Sequence, residues 1–270
     1  MAKKQLIIPV FVPFGGCRHQ CVFCDQEGIT GKRALPPFET IAPTIENYLS
    51  TWKGTGHREL AFYGGSFTGL PMEAQKGYLE AARPYIESGK IDSVRISTRP
   101  DSIDAPTLGF LKSYGVKTIE LGVQSMSDGV LKASGRGHTA EDTRRAASLI
   151  KDAGARLGLQ IMPGLPGDTE AIILDTVDEA VSLSPGFVRI YPTLVLRNTP
   201  LFRMYERGEY RPWALEDMVR VCSEAMRRFA RSGITVIRVG LQTTEDLSLN
   251  LVAGPYHPSF RQLLDTDRAL

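Results

Sequence analysis

Short apolar runs alternate with amphipathic stretches along almost the whole chain. The runs are residues 6–14 (LIIPVFVPF), 58–65 (RELAFYGG), 93–98 (SVRIST), 117–124 (KTIELGVQ), 156–164 (RLGLQIMPG), 186–195 (GFVRIYPTLV) and 234–242 (ITVIRVGLQ). Most are near-continuous in Val, Ile and Leu, the pattern of strands covered on both faces. The stretches between them read as helices. In HTAEDTRRAASLIKDAG, Thr139 is placed to cap, Asp142 stands at the capping-box position and Gly154 lies past the end. In LEDMVRVCSEAMRRFARSG, Leu215, Met218, Val219, Cys222, Met226 and Phe229 form one apolar stripe, which Gly233 terminates. Further helices are predicted in DAPTLGFLKSYG, in TEAIILDTVDEAVSL and after Pro71.

Repeated strand–helix units imply right-handed crossovers and a parallel sheet. The periodicity admits an open doubly wound sheet or a barrel, complete or partial. In either, ligands belong at the carboxyl ends of the strands. No linker or composition break marks a second domain, so residues 1–242 are expected to form one core and 243–270 a covering extension.

At 270 residues and 42% hydrophobic composition, the chain can bury a large core. No run approaches the roughly 18–20 apolar residues of a membrane span, which predicts no membrane partner. The start, MAKKQLIIPVFVPFGG, lacks a small-residue cleavage site and reads as a strand rather than a leader. A net charge of +2 is compatible with nucleic-acid contact without arguing for it. Arg144-Arg145 and Arg227-Arg228 with Arg231 read as solvated helix faces, with RNA contact through Arg144, Arg145 and Arg228 as the alternative.

Three of the four cysteines, Cys17, Cys21 and Cys24, fall within eight positions directly after the first predicted strand. They follow C-x-x-x-C-x-x-C, with glycines before and a polar loop after, so the segment can wrap a compact inorganic core. Thiolates select zinc, copper(I) or iron–sulfur clusters. A clustered odd number suits a reducing compartment better than a disulfide framework, which predicts a cytoplasmic protein. A Cys3His zinc site would need a distant histidine or His19, which stands between two of the ligands where a short loop aims it poorly. A four-iron cluster on three thiolates keeps one iron open for a substrate or cofactor. A chance grouping of ordinary thiols is the remaining reading.

At this motif the chain resembles the radical S-adenosylmethionine enzymes, whose signature is C-x-x-x-C-x-φ-C after the first strand of a parallel α/β domain. The resemblance implies a partial (β/α)6 TIM-like barrel and a [4Fe–4S] cluster on Cys17, Cys21 and Cys24. It places S-adenosylmethionine on the open iron, with Phe23, at the φ position, among the cofactor contacts. It also implies reductive cleavage of that cofactor to methionine and a 5′-deoxyadenosyl radical, which abstracts hydrogen from a substrate. The electron donor would be a reductant protein such as flavodoxin or ferredoxin. Such chemistry needs a cluster near the reducing end of the iron–sulfur range, in a site that keeps water away.

FYGGSFTGLP, after the second run, looks like the family's glycine motif, so Gly64, Gly65 and Ser66 are expected at the cofactor's methionine amine. Ser66 stands where family members often carry an acid. RISTRPDSID, IELGVQSMSDGVLKASGRGHT, QIMPGLPGD and RIYPTLVLRNTPLF are similar to the radical domain of the Elongator catalytic subunits. That likeness covers residues 5–210 and brings in tRNA as a candidate substrate. Residues 234–260 are similar to the tail of shorter bacterial relatives. The Elongator subunits space their first two cysteines more widely, and they carry an acetyltransferase domain for which this chain is expected to have no room. The competing function is a non-catalytic iron–sulfur carrier or redox sensor, which would normally complete its ligands with a fourth cysteine.

Other polar residues take roles beside that cofactor. Glu120 and Gln124 lie on one face of the fourth strand and are placed to hold ribose hydroxyls and the cofactor's polar groups, with a buried network that satisfies itself or a loop as the alternative. Ser97 and Arg99, ending the third strand, are candidates for the methionine carboxylate or ribose, with a nearby acid the alternative partner of Arg99. Arg136 and His138 read as loop and cap residues, with contact to the cofactor or an anionic substrate near a helix amino end as the alternative. Gln160 and Met162 fall at the depth of the adenine pocket. Tyr191 faces the substrate or fills the core, and Cys222 reads as an inert buried thiol.

Overall fold

The computed structural model describes residues 5–13, 16–25, 34–241 and 245–267. The predicted strand ends at Phe14 and Gln242 lie outside the described residues. In chain order the strands are β1 (Leu6–Val12), β2 (Arg58–Gly64), β3 (Ser93–Thr98), β4 (Val116–Gln124), β5 (Arg156–Ile161), β6 (Phe187–Ile190), β7 (Val195–Leu196), β8 (Val236–Val239) and β9 (Leu251–Ala253). The helices are α1 (Ile41–Thr51), α2 (Met72–Glu87), α3 (Ala105–Ser113), α4 (Asp128–Ala133), α5 (Ala140–Asp152), α6 (Glu170–Ser182), α7 (Pro200–Glu206), α8 (Leu215–Arg231), α9 (Glu245–Asn250) and α10 (Phe260–Asp267). Every predicted strand is present. Residues 156–164 stop at Ile161 before Pro163-Gly164, and residues 186–195 divide at Pro192 into β6 and β7. A proline donates nothing to a ladder, so it marks such ends.

The larger sheet runs β1-β2-β3-β4-β5-β6-β8, and the strand pairs with described registers in it are parallel. A sequential order has no point where the winding reverses, so it is the winding of a barrel rather than of a doubly wound sheet. Two edges remain, β1 and β8, and β1 carries Pro9 as an edge strand can.

Contacts divide the chain into two compact units. The first comprises Met1–Arg18, Lys32–Leu121 and Ala146–Leu157. Its strands alternate. Leu60, Phe62, Val94, Ile96, Ile119 and Leu121 bury one face, and the opposite face carries Glu59, Ser93, Arg95, Thr118 and Glu120, equally buried. Phe62 stacks on Phe67 with ring centroids 5.0 Å apart, and both rings lie beside Tyr78 of α2.

The second unit comprises His19–Gly31, Gly122–Arg145 and Gly158–Leu270. Its helix α8 buries Met218, Cys222, Met226 and Phe229 of the predicted stripe, with Leu215 and Val219 half-buried at its margin. The C-terminal segment is more structured than a plain covering extension. Strand β9 pairs antiparallel with β7, and Leu247 of α9 packs fully buried against Leu194 and Leu196. Among the described residues no helix is long and apolar enough to cross a membrane.

Candidate functional site

In the second unit the cysteine loop rests on a ledge, residues 134–137. Val22 N–H donates to the Ser134 carbonyl at 3.1 Å. Gly135 and Gly137 are left-handed, with φ of +64° and +72°. A Cβ on Gly135 would come within 3.1 Å of the Gln20 carbonyl oxygen, and one on Gly137 would strike the His19 ring at 2.5 Å. Between these glycines Arg136, 6% exposed, sends Nη1 to Cys21 Sγ at 3.1 Å and Nη2 to the Gly122 carbonyl. The ledge thus brings a cation to the most buried thiol of the three. Cys24 is half-buried in this unit, and Cys17, in the first unit, is exposed. Phe23 and Val22 pack on a core of Val195, Leu201 and Tyr210, and Leu201 N–H donates to the Val22 carbonyl at 2.8 Å.

The same unit gathers three more of the predicted residues. Gln124 ends β4 in a left-handed conformation (φ +68°). Its side-chain oxygen accepts from Gln160 Nε2 at 3.2 Å, and its carbonyl accepts from Met162 N–H at 2.9 Å. The loop after β5 is held by Asp168, which accepts the N–H groups of Gly164 at 2.9 Å and Thr169 at 3.0 Å. Tyr210 donates its hydroxyl to the Gly164 carbonyl at 2.7 Å. His138 is buried, Tyr191 is half-buried, and Cys222 is fully enclosed, with burial pushing its thiol pKa up.

In the first unit the glycine turn after β2 packs against the residue before Cys17. Gly16 (φ +69°) and Gly69 leave no room for a side chain: a Cβ on either would lie 2.1 Å from the other segment's carbonyl oxygen. Gly65 N–H donates to Val12 O at 2.8 Å, and Gly64, with φ of +107°, is exposed. Ser66 turns inward. Its hydroxyl meets Thr98 Oγ1 at 2.9 Å and accepts Arg99 N–H at 3.3 Å, while Thr68 reaches the same Thr98 oxygen at 2.6 Å. Arg99 makes a fork to Asp101 at 2.9 and 3.0 Å, the acid pairing the sequence left as its alternative. Ser97 stands opposite Glu120 in register.

Sequence reasoning passed over the buried residues that hold Glu120. Arg95 donates Nη1 to Glu120 Oε1 at 2.8 Å, and Nε and Nη2 to Glu59 Oε2 at 2.8 and 2.6 Å. The available signal was polar residues at alternate positions, Ser93, Arg95 and Ser97 in β3 and Thr118 and Glu120 in β4, inside strands otherwise reading as core. A cavity of about 430 Å³ lined by Gly54, Thr55, Gly56, His57, Arg58 and Asp92 lies at the amino ends of β2 and β3, away from the carboxyl ends where ligands bind in this fold.

Residues 11–180 match the radical SAM superfamily, and residues 185–270 match the radical SAM C-terminal domain. The chain belongs to the radical SAM superfamily of enzymes. It is similar to the tRNA uridine(34) acetyltransferase of Methanocaldococcus jannaschii, 30% identical over 249 residues, covering 77% of this chain and 46% of that protein. It is also similar to Elongator complex protein 3 of Mus musculus, 27% identical over 250 residues, covering 84% and 44%. The solved structure of Methanocaldococcus infernus Elp3 with an N-terminal deletion (1–46) matches at a TM-score of 0.75 and 25% identity, over 100% of this chain and 63% of that one. The chain therefore spans about half the length of the curated relatives it matches. Its fold is the partial TIM-like barrel of radical SAM type.

Membership implies an iron–sulfur cluster and S-adenosylmethionine, and the donor set fits them. One short segment carries three thiols, and a guanidinium donor at Cys21 suits a thiolate better than a thiol. Among the described residues no three His, Cys, Asp or Glu side chains gather as ligands of a single metal ion. A cubane asks for no such gathering, because its thiolates bind separate irons.

Burial raises the Asp168 carboxyl from the ordinary 3.8 to about 6, against the two backbone N–H bonds that lower it. A carboxyl raised in the folded state contributes stability below about pH 4 and loses it as pH climbs through 6. Urea midpoints of wild type and Asp168→Asn from pH 4 to 7.5 are therefore expected to diverge, wild type losing ground up to about pH 6 to 7 and then running level. A constant difference would show that the loop does not raise this group.

Proposed function

We propose that the protein is a radical S-adenosylmethionine enzyme acting on RNA, with tRNA as the favoured substrate, and that Cys17, Cys21 and Cys24 hold a [4Fe–4S] cluster. The observation that carries this reading is the C-x-x-x-C-x-x-C loop directly after β1 in a chain of this superfamily, whose fourth cysteine is sealed inside α8. When bound, the cluster and S-adenosylmethionine supply, through one-electron cleavage of a sulfonium carbon–sulfur bond, methionine and a 5′-deoxyadenosyl radical that takes hydrogen from the substrate. The chain's own residues bind and orient. Arg136 donates to the Cys21 sulfur, and Gly64, Gly65 and Ser66 present the turn that receives the methionine amine. Glu120 and Gln124 take the ribose, Ser97 and Arg99 flank it, and Gln160 and Met162 line the adenine edge. Phe23 closes the loop on its apolar side. A reductant protein of the flavodoxin or ferredoxin type delivers the electron. The relatives whose names include tRNA uridine(34) support the choice of substrate.

Charge decides which arginines RNA can engage cheaply. Arg144 is forked onto Glu179 at 2.8 and 3.0 Å, Arg145 pairs with Asp142 at 2.8 Å, and Arg228 pairs with Asp178 at 2.6 Å and Glu224 at 3.1 Å. Arg197, Arg203 and Arg211 are exposed, and among the described residues their guanidinium groups meet no carboxylate. Arg197 and Arg211 flank, and Arg203 lies within, the segment packed on Val22 and Phe23.

Protein reconstituted without oxygen and given dithionite and S-adenosylmethionine is expected to release 5′-deoxyadenosine. An intact cluster that releases none would identify an electron carrier instead. Arg136→Met is expected to weaken iron retention about tenfold, the usual scale for a ligand's supporting partner, read as iron per chain after gel filtration. Replacing Arg197, Arg203 and Arg211 together by Gln is expected to weaken tRNA retention and lower the salt slope by about 2 to 3. The same change at Arg144, Arg145 and Arg228 is expected to do little. The reverse ranking would remove this surface from the reading.

A further inference from the structure

Glu120 does not reach its position alone. On the polar face of the first unit, register sets Glu59 beside Ser93, Ala61 beside Arg95, Arg95 beside Thr118, and Ser97 beside Glu120. Small Ala61 leaves width for the guanidinium on its neighbour. Arg95 is 3% exposed and its two carboxylate partners 1% and 4%. Its donors divide by direction: Nε and Nη2 go to Glu59, and Nη1 goes to Glu120, nearer the carboxyl ends of the strands.

The amino-end carboxylate is itself fixed on several sides. Thr118 donates to Glu59 Oε1 at 2.7 Å and Ser93 to the same oxygen at 3.2 Å, while Gln5 donates to Oε2 at 3.2 Å. Ser93 Oγ lies 2.8 Å from His57 Nε2, so with its hydroxyl hydrogen given to Glu59 it accepts from the imidazole. Tyr63 adds a long contact to Glu120 Oε1 at 3.5 Å. Burial opposes the Arg95 charge, but Glu59 and Glu120 outweigh it and hold the guanidinium pKa above its ordinary value. The arrangement is a strut of graded rigidity, anchored at Glu59 and acting on Glu120.

A buried ion triad of this kind is a weak source of stability compared with well-packed apolar side chains. Its value here is geometric. A guanidinium fork has a fixed plane, so it sets the plane of the carboxylate it binds, which lysine cannot do. We infer that Arg95 is a positioning residue, anchored by Glu59, that orients the Glu120 carboxylate to accept the hydroxyls of a nucleoside's vicinal diol. The inference rests on the reading of Glu120 as the ribose contact.

The test measures binding rather than turnover. Cluster-loaded, unreduced wild type, Arg95→Met, Arg95→Lys and Glu59→Gln are each titrated with S-adenosylmethionine and with its 2′-deoxy and 3′-deoxy analogues. In wild type, loss of a hydroxyl held by a charged acceptor is expected to weaken binding about tenfold. In Arg95→Met the parent cofactor is expected to bind about tenfold more weakly and no better than the deoxy analogues. Arg95→Lys restores charge without the fork and is expected to recover only part of the discrimination. Glu59→Gln keeps the volume of the anchor and is expected to reduce the discrimination severalfold, which decides the matter should Arg95→Met fail to fold. Full discrimination in a folded Arg95→Met or in Glu59→Gln would overturn the inference. Wild type that distinguishes parent from analogue while Glu120→Gln does so equally would overturn the ribose role of Glu120 and the inference with it. Cluster-loaded wild type that binds no S-adenosylmethionine at all would instead overturn the proposed function.

Discussion

The segment after β1 carries three thiols on described residues that form no helix or strand, and contact with residues 134–137 holds the part from His19 onward. Two left-handed glycines make this contact possible, because a Cβ at Gly135 or Gly137 would occupy the space of the loop's Gln20 carbonyl or His19 ring. The closeness of the two backbones also explains Arg136. With its neighbours lacking side chains, its own passes between them to the Cys21 sulfur and spends its second amino group on a backbone carbonyl. A buried guanidinium is tolerable only where its donors are met, and here one acceptor is the thiol. Loop, ledge and charge therefore form one construction.

The first unit solves a related problem differently. Its strands β2, β3 and β4 are buried on both faces, yet only one face is apolar. Filling the other with Glu59, Arg95 and Glu120 leaves one negative charge in excess among three buried groups, and neutral donors from Ser93, Thr118 and Gln5 spread that excess over Glu59. An apolar face of equal volume would hold these strands at least as well. The polar face makes sense as preparation for a polar ligand toward the carboxyl ends of the strands, where Ser97 and Arg99 stand and where Ser66 joins the cluster of Thr68 and Thr98 hydroxyls, with Glu120 midway along β4 beside Ser97.

What could be read from the sequence was local. The cap of α5 depends on residues three apart, and it forms reciprocally: Thr139 N–H donates to Asp142 Oδ2 at 2.9 Å, and Asp142 N–H to Thr139 Oγ1 at 3.2 Å. The cysteine spacing and the α8 stripe are local for the same reason. The strut of Arg95 joins residues 36 and 25 positions away, and Arg136 reaches Cys21 across 115. Such pairs depend on strand register and loop packing, which periodicity does not encode. Arg144, Arg145 and Arg228 are all tied to acids, but only the partner of Arg145 and the nearer partners of the others lie within a turn. Barrel winding was likewise invisible until the strand order was known, because consecutive strand–helix units suit both architectures.

The cysteine loop is braced on a second side by sequence far downstream. Val22 and Phe23 lie on the cluster of Val195, Leu201 and Tyr210, and Tyr210 in turn hydrogen-bonds the turn that Asp168 closes. The aromatic position before the last cysteine thus works as an anchor for the loop whatever else it touches. The strand carrying Val195 is paired with β9, so the C-terminal segment supports the loop through β7. This explains why residues beyond the parallel strands are built as a paired strand and packed helices rather than as a loose tail. A loop without regular structure gains rigidity from bracing by two chain segments distant from it in sequence. Cys222 lies on the buried stripe of α8, where a small apolar-like side chain packs and nothing reaches its sulfur from solvent.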